Sequence, residues 1–387
     1  MSPRQIMVSA GEVSGDLHGA YLIRELKKLR PDLEFFGLGS ERLAAAGVDV
    51  VLDLTRRGTI GIFEALPNLW PVYLAFRRLV RLLDERRPDL LILIDSQGLN
   101  LPLAREAKKR GIKTVYYIAP QEWLWGTAKG TARVAATVDL IVAIFQKEYD
   151  VYKKAGANVV YFGHPLIDIV KPALSKEEAR KKFLGREPEQ VSGGQRPVIA
   201  ICPGSRTQEI KGLLPLLLRA GKLIQAELPS ARFLIPAATF ETIKDSFSLV
   251  GNFHPQAVVG HTYDILHASD LALCASGTIN LEASLLGVPS IMTYKLSWPT
   301  YFIGKYILRI DKKIKYFSMP NILLDENVLP ELVMADAEPA KIARVALDIL
   351  TNEARRQKML ASFAQLRLML GGPGILPRVA KKILSMI

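Results

Sequence analysis

The residues best suited to chemistry stand directly after apolar runs that are typical of buried strands. Asp95 follows residues 91–94 and is expected at the carboxyl edge of a parallel sheet, where ligands of α/β proteins bind. A carboxylate there could take a proton from a hydroxyl group, which makes Asp95 a candidate general base. Capping of the following helix explains the same residue equally well.

A second candidate site follows the apolar run 198–202. Gly204 and Ser205 form a tight turn, and Arg206 then places a permanently charged guanidinium at the strand end. A diphosphate could accept two parallel hydrogen bonds from that group. Glu209, a few residues further, is placed to orient it. The alternative is an ordinary surface arginine.

A third candidate follows the apolar run 271–274. Ser276, Gly277 and Thr278 open a helical pattern whose free backbone N–H groups can bind phosphate. Glu282 lies about one turn further, where a carboxylate can accept hydrogen bonds from both hydroxyls of a ribose. Helix capping by Ser276 and a first-turn role for Glu282 explain each residue alone. Capping does not explain why they occur together with the arginine turn.

A turn with two glycines also follows the first apolar run, residues 6–10. Gly11 and Gly15 let backbone N–H groups close on an oxyanion, and Ser14 adds a hydroxyl near a helix start. With Asp16 these residues form a candidate phosphate site, although a strand-to-helix turn capped by Ser14 or Asp16 is equally consistent. The G-x-G-x-x-G spacing is absent, so a dehydrogenase is not favoured.

All of these candidate residues must lie at the carboxyl edge of a sheet, and the hydrophobic pattern of the chain predicts sheets with such edges. Apolar runs alternate with helical patterns in both halves, and runs such as 90–94 are apolar on both faces, as buried parallel strands are. The predicted fold is α/β, with two doubly wound, Rossmann-like domains. The predicted strands are 6–10, 33–38, 89–95, 113–119, 140–145, 159–163, 198–202, 232–236, 257–260, 270–275 and 289–294.

A charged and polar stretch near residues 175–196 interrupts the alternation and marks a domain boundary. We predict an N-terminal domain over 1–170, a linker over 171–196 and a C-terminal domain over 197–340. The remaining residues, 341–387, show only helical patterns. They are expected to pack back on the first domain.

Composition narrows the class of protein. Among 387 residues, 51 Lys and Arg stand against 38 Asp and Glu, and the net charge of +13 attracts phosphates, nucleic acid or anionic lipid. The cations are spread along helix-like segments, so solvated helix faces explain most of them and nucleic-acid binding is not favoured. Two cysteines inside predicted strands, no signal-peptide layout and no apolar run of ~18 residues predict a cytoplasmic protein. The histidines lack metal-site spacing and no D-x-D motif occurs, so no metal is expected.

Two stretches, 66–83 and 294–317, combine aromatic and aliphatic side chains with cations, as surfaces that bind anionic bilayers do. Helices that face a core show similar stripes, so each stretch alone leaves both interpretations open. The aromatic residues proposed to touch lipid are Trp70, Phe76, Trp298 and Phe302.

Taken in order, the motifs resemble those of the lipid A disaccharide synthase family. The resemblance runs from the first strand to about residue 335, and the number and order of the motifs make it specific. Its segments are 10–16, 61–64, 94–95 with Asn100, Pro120 with Trp123 and Trp125, 163–166, 203–206 with Glu209, 275–278 with Glu282, and 319–321.

The resemblance implies a GT-B glycosyltransferase, in which two Rossmann-like domains face each other across a cleft. It implies transfer of 2,3-diacylglucosamine from UDP-2,3-diacylglucosamine to 2,3-diacylglucosamine 1-phosphate, with inversion. The products are a β-1,6-linked disaccharide 1-phosphate and UDP. Lipid substrates imply a protein peripherally associated with inner-membrane lipids, and no cofactor is implied because the UDP-sugar is a substrate. The sequence leaves open whether the chain forms a homodimer.

The resemblance also gives each candidate residue a role. Asp95 becomes the base that takes the acceptor's proton, and the turn at residues 11–16 holds the acceptor's phosphate. Arg206 and the helix start at 277–278 meet the charge of the departing UDP, and Glu282 meets its ribose. Asn321 would help to close the nucleotide site.

Two departures from the family pattern concern the acceptor side. The family usually carries a second acid, roughly D-x-P-D-F-N, whereas residues 96–99 here are Ser-Gln-Gly-Leu. Gln121 and Glu122 stand where the family has small residues before its tryptophans. The departures argue against a base shared between two acids and for an altered acceptor pocket.

Two other kinds of function are alternatives. Another GT-B enzyme, such as a UDP-N-acetylglucosamine 2-epimerase or another glycolipid glycosyltransferase, would keep the nucleotide turns, and an epimerase would act without an acceptor. A non-catalytic protein that binds membranes or nucleic acid through its charge would leave the paired nucleotide turns unexplained.

Overall fold

A computed structural model describes the chain in two compact units. The first contains the described residues up to Ile169 and the C-terminal segment Leu370–Ile387, and the second contains those of Val170–Met369. The described residues are 4–54, 69–185, 196–237, 239–243, 246, 251–295 and 315–387.

The first unit contains a parallel sheet of seven strands. They are β1 Gln5–Ala10, β2 Glu34–Leu38, β3 Val48–Leu52, β4 Leu90–Ile94, β5 Lys113–Tyr117, β6 Leu140–Ala143 and β7 Val159–Tyr161. Their order across the sheet is β3-β2-β1-β4-β5-β6-β7. All five residues of β4 are buried, as the unbroken apolar run of a central parallel strand predicts.

Helices connect these strands. They are α1 Val13–Leu29, α2 Glu41–Ala45, α3 Leu69–Arg86, α4 Gln97–Lys109, α5 Glu122–Trp125, α6 Ala128–Thr137, α7 Gln146–Lys154 and α8 Leu166–Ile169. In α1 the apolar residues Leu22, Ile23 and Leu26 recur at helical spacing and are buried. The chain order of strand and helix therefore leaves the carboxyl ends of β1 and β4 a few residues before the start of a helix.

The second unit repeats the design with a six-stranded parallel sheet. Its strands are β8 Val198–Cys202, β9 Arg232–Ala237, β10 Gln256–Val259, β11 Leu271–Ala275, β12 Ser290–Tyr294 and β13 Glu331–Val333, in the order β10-β9-β8-β11-β12-β13. Its helices are α9 Lys176–Leu184, α10 Thr207–Glu227, α11 Thr262–Ala268, α12 Thr278–Leu285, α13 Met319–Leu324, α14 Pro339–Thr351 and α15 Glu353–Leu370. Short 3₁₀ turns occupy Phe240–Thr242 and Met334–Asp336, and α16 Ile375–Leu384 returns to the first unit.

The α/β prediction and the predicted strands are confirmed, and two strands were missed. β3 contains Asp49 and is largely half-exposed at the sheet edge, so its apolar run is interrupted. β13 has only three residues, too few to carry an alternation. Both lie at a sheet edge, where strands are less buried and their apolar sequence pattern is therefore weaker.

The unit boundaries differ from the predicted domains. Part of the predicted linker forms α9, which packs on α11 in the second unit, where Lys176 and Arg180 both pair with Asp270. Of the C-terminal helices, α14 packs along α10 in the second unit, and only α16 packs on α1. The reason is the apolar face of α14, whose Ile342 and Ile349 are buried in the second unit's core.

By length and composition, one stretch of the described chain, Glu353–Leu384, could cross a membrane. It consists of α15 and α16, which are separated at residues 371–374. Phe363 and Leu366 of α15 are buried, and so are Ile375 and Val379 of α16. Some of its apolar side chains therefore belong to the cores of the two units, whereas Leu368 and Met369 are exposed.

Candidate functional site

The candidate residues of the first unit lie where its strand order changes direction. β1 pairs with β2 on one side and with β4 on the other, with Ala10 opposite Ile94. The connections after these strands leave the sheet in opposite directions, which opens a crevice at their carboxyl ends. The Gly11 turn and Asp95 both follow directly, so they meet at this switch point.

Asp95 adopts a backbone conformation that is unusual for a residue with a side chain. Its φ is +54° and that of Ser96 is +46°, so two successive non-glycine residues are left-handed. One carboxylate oxygen, Oδ2, accepts from Ser14 Oγ at 3.3 Å, and Oδ1 accepts from the Ser96 N–H at 2.9 Å. The carboxylate is thereby turned toward the first turn of α1.

The two glycines of that turn differ in what they permit. A Cβ on Gly11 would lie 2.7 Å from Ser96 Oγ, so the turns after β1 and β4 are in direct contact. A Cβ on Gly15 would lie 3.5 Å from both Ala10 Cβ and the Ile94 carbonyl oxygen, which is an ordinary contact. Gly11 is therefore needed for the close approach of the two turns.

Asp16 does not belong to the proposed phosphate site, which corrects that prediction. It is buried, and its carboxylate accepts backbone N–H groups of Ser40 at 2.7 Å, Arg42 at 3.2 Å and Leu43 at 3.3 Å. These donors lie at the start of α2. Asp16 thus satisfies free N–H groups of that helix, a role set by partners more than 20 residues away in sequence.

Helix α5, which follows β5, contributes a second carboxylate, Glu122, which was predicted only to alter the acceptor pocket. Glu122 Oε1 accepts from Gln97 Nε2 at 3.0 Å, and Oε2 accepts from the Thr127 N–H at 3.3 Å. A Cβ on Gly126 or Gly130 would lie within 2.5 Å of Oε2, so both glycines make room for this carboxylate. Gln97 and Glu122, each a departure from the family pattern, are therefore contact partners.

Two buried titratable residues of the first unit are neutral near pH 7. Burial lowers the pKa of His18 to about 4, and its ring lies edge-on to Tyr117 with centroids 6.5 Å apart. Burial also raises the pKa of Glu148 to about 8, although its Oε2 accepts from the Ile144 N–H at 2.8 Å. These groups are suited to pH-dependent stability and not to binding an ionic substrate.

The second unit has its own switch point, between β8 and β11. Cys202 pairs with Cys274 in register there, and β9 lies on the other side of β8. Both cysteines are free and buried. The arginine turn after residue 202 and the glycine turn after residue 275 are thus neighbours at one sheet edge.

In the first of these turns, Glu209 holds Arg206 in place. Gly204 has φ +108°, and a Cβ there would lie 2.6 Å from Glu209 Oε2, so both the backbone and the contact require glycine. Glu209 Oε2 accepts from the N–H groups of Ser205 and Arg206, each at 3.3 Å, and Oε1 accepts from Arg206 Nη1 at 2.9 Å. The Glu209 carboxylate therefore caps α10 and also orients the Arg206 guanidinium.

The second turn leads into α12. Gly277 has φ +150° and precedes the helix, and no described atom outside its neighbours lies within 4 Å of a Cβ built on it. Thr278 is the first helical residue, and no side chain caps the described helix start. Glu282 is buried to 6% exposure, and its Oε1 accepts from Tyr263 Oη at 3.1 Å. Ser276 and Gly277 thus directly precede the first helical N–H groups of α12.

Asn321 is structural, which corrects its predicted contact with the nucleotide. It is fully buried, and its Nδ2 donates to the Leu329 carbonyl and to Glu331 Oε1, each at 2.9 Å. Its Oδ1 accepts from the N–H groups of Val328 at 2.9 Å and Leu329 at 3.0 Å. The amide is committed to the segment before β13 and has no capacity left for a ligand.

The proposed membrane residues are only partly described. Trp70 is 67% exposed, whereas Phe76 is half-buried and packs against the first unit's core, which corrects its assignment. Tyr73 and Leu74 are exposed instead. Trp298 and Phe302 lie outside the described residues. Across the described part of the chain, no cluster of three His, Cys, Asp or Glu side chains could hold a metal ion.

Comparison with known proteins decides the family. The sequence model of lipid-A-disaccharide synthetase matches residues 6–370. The chain belongs to the lipid-A-disaccharide synthase family. A relative with that name from Geobacter metallireducens is 37% identical over 386 residues, which cover 99% of this chain and 97% of the relative. One from Nitrosococcus oceani is 38% identical, covering 95% of this chain and 92% of the relative. As a lipid-A-disaccharide synthase family member, the chain is a glycosyltransferase of lipid A biosynthesis.

Solved structures support the fold. The S. aureus MnaA–UDP co-structure has a TM-score of 0.66 at 12% identity, covering 99% of this chain and 98% of that one. The UDP-GlcNAc 2-epimerase from Neisseria meningitidis bound to UDP-GlcNAc has 0.64 at 13% identity, covering 98% of both chains. Anabaena Alr3699/HepE in complex with UDP and glucose has 0.56 at 14% identity, covering 99% of this chain and 100% of that one. At these identities the likeness shows that this lipid-A-disaccharide synthase family member has the GT-B fold, and nothing about its ligand.

Proposed function

We propose that the chain transfers 2,3-diacylglucosamine from UDP-2,3-diacylglucosamine to 2,3-diacylglucosamine 1-phosphate with inversion. The products are the β-1,6-linked disaccharide 1-phosphate and UDP. The observation that carries the proposal is the second switch point, where an oriented guanidinium and an uncapped helix start occupy the ends of neighbouring strands. Family membership selects the lipid A reaction among those that such a nucleotide site could serve.

The nucleotide is assigned to the second unit. Arg206 offers a rigid set of N–H donors, and Glu209 fixes one end of it, so little conformational freedom is lost on binding a diphosphate. Gly277 leaves space for an oxyanion beside the N–H groups that open α12, which carry the positive end of the helix dipole.

Glu282 is assigned to the ribose. It lies in the second turn of α12, and Tyr263 already orients one of its oxygens. An ionised carboxylate can accept hydrogen bonds from the 2′- and 3′-hydroxyls at once. This contact would select a ribonucleotide over its 2′-deoxy form.

Asp95 is assigned as the base. The 6-hydroxyl oxygen of the acceptor attacks the anomeric carbon, the bond from that carbon to the UDP oxygen breaks, and the hydroxyl proton passes to the Asp95 carboxylate. Departing UDP keeps the bonding electron pair, and the donors of the second unit stabilise its charge. General base catalysis of this kind contributes about 10²–10⁴-fold, so we expect Asp95→Asn to reduce turnover by that factor.

The turn at residues 11–16 is assigned to positioning the base, Asp95, and not to binding the acceptor's phosphate. Ser14 donates to Asp95, and Gly11 allows the contact between the two turns. A phosphate bound at Ser14 and Gly15 would place negative charge beside the Asp95 carboxylate, which is unfavourable for like charges at close range. The acceptor's phosphate therefore binds elsewhere.

The exposed face of α3 is assigned to the membrane. Trp70, Tyr73, Leu74 and Arg77 recur at three- and four-residue spacing, and Arg77 Nη1 donates to Tyr73 Oη at 3.1 Å. An apolar patch with cations beside it suits the surface of an anionic bilayer. We therefore place the protein on the cytoplasmic face of the inner membrane, where both lipid substrates would be.

The decisive experiment incubates purified protein, in detergent and chelator, with UDP-2,3-diacylglucosamine, with and without the monosaccharide 1-phosphate. UDP release and product mass are followed. We expect UDP release only with the acceptor, together with a disaccharide 1-phosphate. UDP-sugar turnover without the acceptor would favour an epimerase, and polyanion binding that is sensitive to salt and unaffected by UDP would favour a non-catalytic protein.

A further inference from the structure

The strained backbone at Asp95 is held by two buried side chains that the mechanism above does not use. The Asp95 carbonyl oxygen accepts from Asn100 Nδ2 and from Tyr116 Oη, each at 2.8 Å. Its N–H donates to the Ile118 carbonyl at 3.2 Å, and Ile118 also has a positive φ of +59°. Left-handed non-glycine residues cost on the order of 1–3 kcal/mol each and persist only where surrounding contacts enforce them.

Asn100 ties this carbonyl to two central strands. It is fully buried, and its Nδ2 also donates to the carbonyls of Ile94 at 3.0 Å and Ser9 at 3.2 Å. Its Oδ1 accepts from Ser9 Oγ at 2.6 Å. An amide has two N–H groups, so the three carbonyls share them, and the side chain cannot turn without losing several bonds.

Tyr116 supplies the contact from the other side. It belongs to β5 and is fully buried. Burial most of all, followed by the electrostatic influence of Asp95, Tyr152 and Glu12, raises the pKa of the Tyr116 phenol well above its usual value. The hydroxyl therefore stays protonated near neutral pH and remains a donor to the Asp95 carbonyl.

We propose that Tyr116 and Asn100 are positioning residues for the transfer reaction: by clamping the Asp95 carbonyl, they hold its carboxylate toward the acceptor hydroxyl. The proposal rests on the proposed role of Asp95 as the base. If the clamp loosens, the backbone relaxes toward ordinary φ values and swings the carboxylate away from Ser14. A misplacement of about 1 Å in a reacting group can cost about 100-fold in rate.

The test uses Tyr116→Phe, which removes one hydroxyl and keeps the aromatic ring in the core. We expect kcat to fall about 10- to 100-fold, while the KM for UDP-2,3-diacylglucosamine stays within about twofold, because the nucleotide is bound by the other unit. Tyr117→Phe is the matched control. Tyr117 is the next residue of β5, and its buried hydroxyl has no partner among the described residues, so its removal is expected to leave kcat unchanged.

A double-variant cycle separates positioning from a general structural effect. In an Asp95→Asn background, adding Tyr116→Phe should cause no further loss, because the clamp acts only through the carboxylate. A further 10-fold loss in that background would overturn the proposal, and so would wild-type kcat in Tyr116→Phe alone. Near-normal turnover of Asp95→Asn would instead remove the base itself, which is a failure of the proposed function.

Ser9→Ala serves if Tyr116→Phe does not give a cooperative melting transition. It removes the hydroxyl that fixes Asn100 Oδ1 and leaves every donor to the Asp95 carbonyl in place. We expect a loss of kcat of about 3- to 10-fold with unchanged KM. Wild-type kcat in Ser9→Ala, with a lowered melting temperature, would show that the network serves stability alone.

Discussion

Gly204 offers the sharpest test of the nucleotide site, because one added methyl group acts on three of its residues at once. In Gly204→Ala the new Cβ would need a φ of +108° and would lie 2.6 Å from Glu209 Oε2 and 3.0 Å from Glu209 Cβ. Glu209 must then withdraw from the N–H groups of Ser205 and Arg206 and from the guanidinium. The substitution therefore loosens Arg206 without touching it.

The expected magnitudes follow from these contacts. Backbone strain costs about 1–3 kcal/mol, and loss of the cap adds about 1 kcal/mol. For a unit of this size the sum lowers Tm by roughly 5–15 °C. A hydrogen bond between a charged group and its partner contributes about 1.5–3 kcal/mol, so loss of the Arg206 contact should raise the Kd for UDP by about 10- to 100-fold.

Two matched variants separate the causes. Gly260→Ala, at the end of the edge strand β10, has φ +84° and no described atom within 4 Å of its Cβ, so it should lower Tm through strain alone and leave UDP affinity unchanged. Gly212→Ala, inside α10, also meets open space and needs no positive φ. It should raise stability by about 0.5–1 kcal/mol with unchanged affinity.

The assay is isothermal titration calorimetry with UDP beside thermal unfolding of each variant. We expect UDP affinity to fall only in Gly204→Ala, while Tm falls in both Gly204→Ala and Gly260→Ala. Equal loss of affinity in these two variants would show that the effect comes from destabilisation. Wild-type affinity in Gly204→Ala despite a lowered Tm would refute the assignment of UDP to the arginine turn.

Three further predictions concern other parts of the molecule. Glu282→Gln should raise the Kd for UDP about 10-fold and reduce the preference for UDP over 2′-deoxy-UDP, because an amide oxygen replaces only one of two acceptors; an unchanged preference in calorimetry would move the ribose elsewhere. Trp70→Ser combined with Leu74→Ser should weaken sedimentation with anionic vesicles at least about 10-fold, whereas Leu368→Ser, a control that is more exposed than either of them at 81%, should not. Glu148 has a folded pKa of about 8 against an unfolded value near 4.5, so the folded state holds the extra proton and the free energy of unfolding falls as pH rises toward 8. Glu148→Gln should remove that slope, up to about 1.4 kcal/mol per pH unit, in urea unfolding between pH 6.5 and 8, and an unaltered slope would contradict the assignment.

Local patterns predicted the parts of the site that depend on chain direction. The apolar runs before Asp95, Gly204 and Gly277 became strands, and in a parallel sheet that alone places the following residues at the carboxyl edge. Strand order brought the turns together in pairs. The strand order could not be predicted from the sequence of either turn, because it depends on pairing between strands that are distant in sequence.

Side-chain roles were less predictable, since they depend on partners distant in sequence. Asp16 looked like part of a phosphate turn, but its acceptor capacity is taken by the start of α2. Asn321 is used in the same way by residues 328–331. Only Phe76 carried a local signal that would have corrected it: Val72, Phe76 and Leu79 recur at helical spacing on the core face of α3.

At both switch points a residue shortly after the strand has a positive φ, but the residue types differ. After β8 the positive φ falls on Gly204, the residue type for which it costs least. After β4 it falls on Asp95 and Ser96, where glycine would relieve strain of about 1–3 kcal/mol at each position. The protein instead keeps a carboxylate there and surrounds its peptide group with hydrogen bonds from Asn100 and Tyr116. Strain retained at a residue whose side chain is the reactive group is explained most simply if that side chain performs the chemistry, which is the role proposed for Asp95.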